Sequence, residues 1–435
     1  MTRKTILSLP VSALSALALL AACGDTAQLS VAEGMGTNPA LPEPTETLLP
    51  TVNIADVIGW ADGETPRAAP GWTVTQYGPE LDHPRWMYRL PNGDLLVAET
   101  NKPPKGQGGG IRGWIEELVM SSAGAGAETA NRITLLRDND ADGVVDETHV
   151  FATAANGLAS PFGMAVAGGD LYVANYAGLL RFPYEEDATS VIGEGELVAA
   201  FPDIGDKAGH WTRNVIANED GSKLYISVGS VSNVGESGLE VEEGRAAIHE
   251  YDVATGEMRL FATGLRNPVG MDWNPVTGEL WTAVNERDAL GSDLVPDYMT
   301  SVQDGGFYGW PWIYYGDVMD DRAPGTPPDQ PILTPDYALG AHTASLGLAF
   351  TPSGDGAIVA QHGSWNRKPA SGYKVVYIPF ADGEPDGLPQ TLLDGFLIGD
   401  EAKGRPTGVT FDRTGAVLVT DDSGDRIWRV APAGR

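Results

Sequence analysis

Asp138-Asn139-Asp140-Ala141-Asp142-Gly143-Val144-Val145-Asp146 sets carboxylates at the first, third, fifth and ninth places of one loop, with a glycine at the sixth to turn the chain. Oxygen ligands at that spacing suit calcium, which is held by flexible oxygen-rich loops. The twelfth place is His149 rather than glutamate, and no helical pattern flanks the loop. Asp138, Asp140, Asp142 and Asp146 are therefore candidate ligands of a structural calcium, with an empty acidic turn as the alternative.

A second group of residues offers acid–base and anion chemistry. His210, in Gly209-His210-Trp211-Thr212-Arg213, directly precedes an expected strand, where an imidazole of near-neutral pKa can take a proton from a hydroxyl. Arg266-Asn267-Pro268, Arg367-Lys368 and Lys403-Gly404-Arg405-Pro406 place cations beside comparable strands, a pattern that suits one shared anionic ligand or scattered surface ion pairs. Asn285-Glu286-Arg287-Asp288 follows another strand. Phe307-Tyr308-Gly309-Trp310-Pro311-Trp312 supplies aromatic faces that suit a planar group or pack a loop.

The elements that must position these residues repeat along the chain. A short apolar run containing glycine, a tight turn, and a second apolar run ending in Ala, Ser or Thr recurs six times, starting near 85, 161, 213, 268, 346 and 406. Asn92-Gly93 and Gly168-Gly169 suit two of the hairpin turns, and the third and fourth copies alternate as half-buried strands do. Trp72-Thr73-Val74-Thr75-Gln76-Tyr77 has no hairpin partner nearby and is expected to close a ring beside Ile427-Trp428-Arg429-Val430. The reading is an all-β, six-bladed β-propeller over 67–435, against a β-sandwich with appended helices.

Composition narrows the partners. With 59 acidic against 28 basic residues the net charge is -31, which argues against nucleic acid as a partner. Residues 1–22 have the parts of an export signal: Arg3 and Lys4, an apolar run too short for a comfortable membrane span, then small residues. Leu20-Ala21-Ala22-Cys23 looks like a bacterial lipobox, which implies an acylated Cys23 and a periplasmic or cell-envelope lipoprotein. Cys23 is the only cysteine, so disulfides are excluded, and residues 23–66 read as a flexible tether.

Taken together, Thr263-Gly264-Leu265-Arg266-Asn267-Pro268, the Gly-His-Trp-Thr-Arg stretch, Phe307-Tyr308-Gly309-Trp310-Pro311 and Gly363-Ser364-Trp365-Asn366-Arg367 resemble the glucose/sorbosone dehydrogenase family, nearest its L-sorbosone type. The resemblance runs from about Trp72 to Val430. It implies a six-bladed propeller holding pyrroloquinoline quinone (PQQ) and calcium on its axis and oxidising a sugar or a related alcohol or aldehyde. His210 is then the general base. Arg266, Asn267, Arg213, Arg405 and one of Arg367 and Lys368 flank the quinone, and Glu286-Arg287 lies at the cofactor calcium in place of the relatives' Gly-Pro backbone. His210 and Arg213 stand one residue closer than in those relatives.

No Cys-x-x-Cys-His segment is present, so a separate electron acceptor, a quinone or cytochrome, is implied. Two other readings remain: a calcium-dependent propeller lactonase or esterase, which needs no converging cations, and a ligand-binding propeller without catalysis.

Overall fold

The computed structural model describes residues 24–45, 51–103, 129–202 and 209–434; the expected signal and Cys23 lie outside them. Six antiparallel sheets carry the fold, and each holds one sequence repeat on its first two strands. The leading strands are Pro84–Arg89, Met164–Ala167, Val215–Ala217, Pro268–Trp273, Ser345–Phe350 and Pro406–Phe411, numbered here sheets 1 to 6. Each leading strand packs beside the next, and the sixth returns to the first, so the arrangement is propeller-like and closed.

Two glycines show why the repeat carries that residue on its leading strand. A Cβ at Gly270 would lie 2.4 Å from the Leu346 carbonyl oxygen, and one at Gly347 would lie 2.5 Å from that of Thr407. Leading strands of neighbouring sheets approach backbone to backbone there, which only glycine permits.

Apolar clusters fill the wedges between consecutive sheets. Trp281 packs with Leu348, Phe350 and Phe380 between sheets 4 and 5. Met87 and Val97 meet Leu418 and Ile427 between sheets 6 and 1. Both faces of the inner strands are therefore covered, and Leu95–Glu99 and Leu280–Val284 are buried at every residue. The alternating, half-buried strands expected for the third and fourth repeats are corrected accordingly: Leu224 to Val228 is also buried throughout, because each sheet has a neighbour on either side.

Trp72–Gln76 pairs antiparallel with Arg426–Pro432, from Trp72 opposite Pro432 to Gln76 opposite Trp428, so the chain's start completes its last sheet. The stretch before it differs from a free tether. The Asp25 carboxylate accepts the Ser292 N–H at 2.8 Å, Ala27 N–H donates to the Lys368 carbonyl at 2.7 Å, and Asp56–Val57 pairs with Glu401–Ala402. Trp60 Nε1 donates to the Asp421 carboxylate at 2.7 Å while its ring meets Trp428 and Phe396 edge-on. A polar, proline-rich segment buries little, yet its backbone donors and carboxylates dock readily on exposed loops. Among the described residues no helix is long and apolar enough to cross a membrane.

Trp60→Ala is expected to lower the unfolding free energy by about 2 kcal/mol, from lost packing and one hydrogen bond to a buried carboxylate. Denaturant titration checks this. An unchanged midpoint would restore the free tether.

Candidate functional site

Consecutive strands of a sheet run antiparallel, so the starts of the leading strands and the ends of the second strands lie on one rim of the ring. A cavity of about 450 Å³ opens there, lined from every sheet but the second. His83 and Arg85, His210 to Thr212, Arg266 and Asn267, His342, and Arg405 line it from the leading-strand side. Lys102, Asn233, Glu286, Asp288, His362, Asn366 and Asp422 line it from the second-strand side. Four of the chain's six histidines thus share one cavity.

His210 is oriented by its neighbours. Its Nδ1 lies 2.9 Å from the Ser230 carbonyl oxygen and 3.1 Å from Ser230 Oγ, which itself donates to the Ser232 carbonyl. A carbonyl only accepts, so Nδ1 carries the proton and Nε2 keeps its lone pair. Burial, and then the Arg266 charge, hold His210 well below the usual histidine range, so it is neutral at pH 7. Arg213 does not line the cavity. It is buried beneath the His210 turn, donates to the carbonyls of His210 and Thr212 at 2.8 Å each, and lies over Tyr176, which makes it a prop rather than a ligand.

Arg266 is held mainly by oxygens that carry no full charge. Arg266 donates to the Glu286 carbonyl at 2.8 Å and to Asn233 Oδ1 at 2.9 Å, with the Asp288 carboxylate 4.0 Å away. Arg405 donates to the carbonyls of His362 and Gly363 and lies over the Tyr373 ring. Asn267 Oδ1 and Asn366 Oδ1 are buried without a hydrogen-bond partner among the described residues. The Glu286 carboxylate is pushed up to about 7 by burial, against the pull of Arg266.

Several expected ligands fall elsewhere. Arg367 turns away from the cavity to the Ser292 carbonyl and to Asp293. Lys368 is not a lining residue, and its carbonyl receives Ala27 N–H. Arg287 is buried in an ion pair with Asp320, so only the Glu286 half of the Glu286-Arg287 pair reaches the cavity. The aromatic loop packs a neighbouring loop rather than the cavity: Trp310 Nε1 donates to the Asn233 carbonyl, and Phe307 covers Gly264, where a Cβ would lie 2.7 Å from the ring. The tryptophans at the cavity are Trp211 and Trp365.

Asp138, Asp140 and Asp146 bring oxygens within 4.8 Å of one another, while Asp142 instead accepts the Val144 N–H. Their loop joins Arg132–Arg137 to Glu147–Ala152 and therefore lies on the rim opposite the cavity.

Two charge clusters in the cavity were not expected. Asp422 pairs with Arg85, accepts from His362 Nε2 at 2.8 Å and lies 3.7 Å from His83. Burial favours its neutral form, yet His362, Arg85 and His83 outweigh this and hold it well below the usual carboxylate range. Burial and Arg405 lower His362 to about 3. On the facing wall Asp288 accepts from Asn366 at 2.8 Å and lies 3.3 Å from His342 Nδ1. Burial would raise Asp288, but His342 and Arg266 bring it down to about 2. The available signal was positional: His83 and His342 stand, like His210, just before leading strands, and His362 just after a second strand.

Comparison with known proteins places this site in a family. A model of the TrAA12-like family matches residues 117–301 and 328–433. The chain belongs to the TrAA12-like family. It is 23% identical over 418 residues to a pyrroloquinoline quinone-dependent sugar dehydrogenase of Hypocrea jecorina, covering 83% of this chain and 88% of that one. It is also 30% identical over 237 residues to an uncharacterized protein of Borreliella burgdorferi. That match takes in 51% of this TrAA12-like chain and 60% of its relative's length.

Among solved structures, the calcium structure of the Trichoderma reesei family AA12 enzyme is similar at TM-score 0.68 and 20% identity, over 88% of this chain and 99% of that one. The holo PQQ domain of a Coprinopsis cinerea pyranose dehydrogenase is similar at TM-score 0.64 and 19% identity, over 87% and 99%. These likenesses show a shared fold for the TrAA12-like chain, and the expected kinship with PQQ-dependent sugar dehydrogenases stands at the level of family.

Asp422→Ala is expected to cost about 3–5 kcal/mol, because it leaves Arg85 buried without a counter-charge. The folded carboxyl is depressed below its unfolded value of about 3.9, so its stabilisation is complete above that pH and fades as pH falls through the folded value. Denaturation at pH 7 and pH 3 should show a large difference between variant and wild type that narrows in acid. A pH-independent gap would place the cost in packing.

Proposed function

We propose that this chain is a PQQ-dependent dehydrogenase that oxidises a sugar or sugar-derived aldehyde or alcohol, sorbosone- or aldose-like, on the axis of a six-bladed propeller. The observation that carries the reading is His210, neutral, with Nδ1 tied to a carbonyl and Nε2 without a hydrogen-bond partner among the described residues, in one cavity with the arginines Arg266 and Arg405.

The cavity fits a flat, multiply anionic group. Arg266, whose principal hydrogen-bond partners are carbonyls and an amide, faces it, Arg405 and Lys102 add cationic side chains to the lining, and Trp211 and Trp365 supply apolar wall. A divalent ion fits beside it: Asn267 Oδ1 lacks a partner among the described residues, and the Glu286 carboxylate, whose proton affinity is raised by burial, gains a counter-charge when such an ion binds. When bound, PQQ supplies a carbonyl that accepts a hydride, and calcium beside it acts as a Lewis acid.

The remaining work falls to the chain. His210 Nε2 takes the substrate hydroxyl proton as the carbinol hydrogen departs as hydride. Ser230 and Arg213 keep the imidazole in the tautomer and position that this needs. Asp297 accepts from the N–H groups of Glu286 and Ser345 and from Thr343, tying two lining loops together.

Export and anchoring through Cys23 belong to the same reading, with reducing equivalents passed to a separate quinone or cytochrome. The Asp138, Asp140, Asp146 loop holds a structural calcium on the opposite rim.

Protein reconstituted with PQQ and calcium is expected to reduce an artificial electron acceptor with aldoses or sorbosone-like aldehydes. His210→Ala should cut turnover about a hundredfold or more while leaving quinone binding intact. Lactone hydrolysis without dye reduction would favour the hydrolase, and protein that takes up no quinone and reduces no dye with any substrate would favour a binding module.

Because His210 is held below 6.5, kcat/KM should stay level as pH falls to that value and drop only at lower pH. A fall centred at or above 6.5 points to another base. Calcium added to chelator-treated protein should raise Tm, and Asp140→Ala should remove the part due to the loop without changing quinone titration.

A further inference from the structure

The segment that follows Cys23 runs over the rim on which the cavity opens. Asp25 N–H donates to Thr51 Oγ1 at 2.9 Å, and its carboxylate takes the Ser292 N–H at 2.8 Å. Asp293 accepts the N–H of Gln28 at 2.5 Å and of Leu29 at 3.2 Å. Asn53 N–H donates to the carbonyl of Trp365, a cavity-lining residue, at 2.7 Å, and Asn53 Nδ2 to that of Arg367 at 2.8 Å. The receiving loops follow the second strands of sheets 4 and 5, the same loops that carry Asp288 and Asn366 into the cavity.

The chain is thus fixed to the cavity rim from its second residue after Cys23. Adjacent Cα atoms are about 3.8 Å apart, so a lipid on Cys23 has almost no slack with which to swing to the other rim. Apolar tips stand on this rim: Val52, next to the residue that bonds Asp25, is 43% exposed, and Ile58 and Ile398, at the small sheet formed by Asp56–Val57 with Glu401–Ala402 and Leu397–Ile398 between sheets 5 and 6, are 52% and 55% exposed.

We propose that the cavity-bearing rim is the membrane-facing surface of this protein, held against a lipid bilayer by the anchored segment and by Val52, Ile58 and Ile398. This rests on the reading that Cys23 is acylated. Substrate and electron acceptor then reach the cavity in the thin layer between protein and lipid, and the calcium-loop rim faces away. The strong net negative charge opposes contact with an anionic bilayer, so the covalent anchor is what sustains it.

The test uses full-length, acylated protein mixed with vesicles of phosphatidylethanolamine and phosphatidylglycerol. Acylation occupies the chain's only native thiol, so V52C, I398C and V276C each offer one site for a fluorophore. Val276 lies on the opposite rim and is 54% exposed, so none of the three changes disturbs the core. Flotation with the vesicles reports the anchor, and quenching by nitroxides on the lipid chains reports orientation.

The expected result is flotation with quenching several-fold stronger at positions 52 and 398 than at 276. Failure to float removes the anchor and the proposal with it. Flotation with equal quenching, or with the strongest at 276, leaves the anchor standing and overturns the orientation.

Discussion

The antiparallel pairing of Trp72–Gln76 with Arg426–Pro432 is the contact on which the remainder depends. It joins strands more than three hundred residues apart, so its loop-closure cost is among the largest in the chain, although that cost grows only logarithmically with separation. The return is that the sixth sheet gains its outer strand and the ring of leading strands is held shut. Each leading strand then has a defined neighbour on both sides, and the loops at one rim are brought to a common centre. Residues as far apart as Arg85 and Asp422 meet only because of that closure.

Within that centre the distribution of charge is unlike the rest of the molecule. A chain carrying -31 overall gathers Arg85, Lys102, Arg266 and Arg405 around one cavity. Arg85 is paired with Asp422, whereas Arg266 is fixed chiefly by the Glu286 carbonyl and Asn233 Oδ1, with the Asp288 carboxylate 4.0 Å away. Neutral oxygens set the direction of a guanidinium without cancelling its charge, so Arg266 keeps an attraction for an anion. A buried cation whose charge is only partly balanced is costly, and the cavity gains stability when an anionic group enters it.

The sequence made the repeats and the closing strand legible because both depend on local pattern: glycine where leading strands touch, and an unpaired apolar strand near the start. His210, Arg266, Asn267, Glu286 and Arg405 were legible because they flank those strands directly. Arg367, Lys368 and Arg287 were misplaced because in turning loops a single residue of offset sends a side chain to the opposite side, as Glu286 and Arg287 show. Asp422 and His362 escaped notice because their partners lie in other sheets, and no window of sequence contains both. The contacts of residues 24–45 and 51–66 were missed because composition reports what a segment can bury, and these stretches are held largely by hydrogen bonds to loops.

Three of the four histidines in the cavity show that residue type alone does not select a base. His362 donates from Nε2 into Asp422 and is kept neutral by burial, so its outward chemistry is committed to that carboxylate. His342 has an oxygen acceptor at each nitrogen, the Gly291 carbonyl at 2.8 Å and the Asp288 carboxylate at 3.3 Å, and the carboxylate outweighs burial and holds its pKa above the usual value. A ring held towards the imidazolium form has no lone pair to offer. His210 alone among these three joins a donor nitrogen fixed on a carbonyl to a second nitrogen with no hydrogen-bond partner among the described residues, and its pKa is low enough to stay unprotonated. The surroundings of each imidazole, not its position in a motif, therefore distinguish among these three the one that can take a proton.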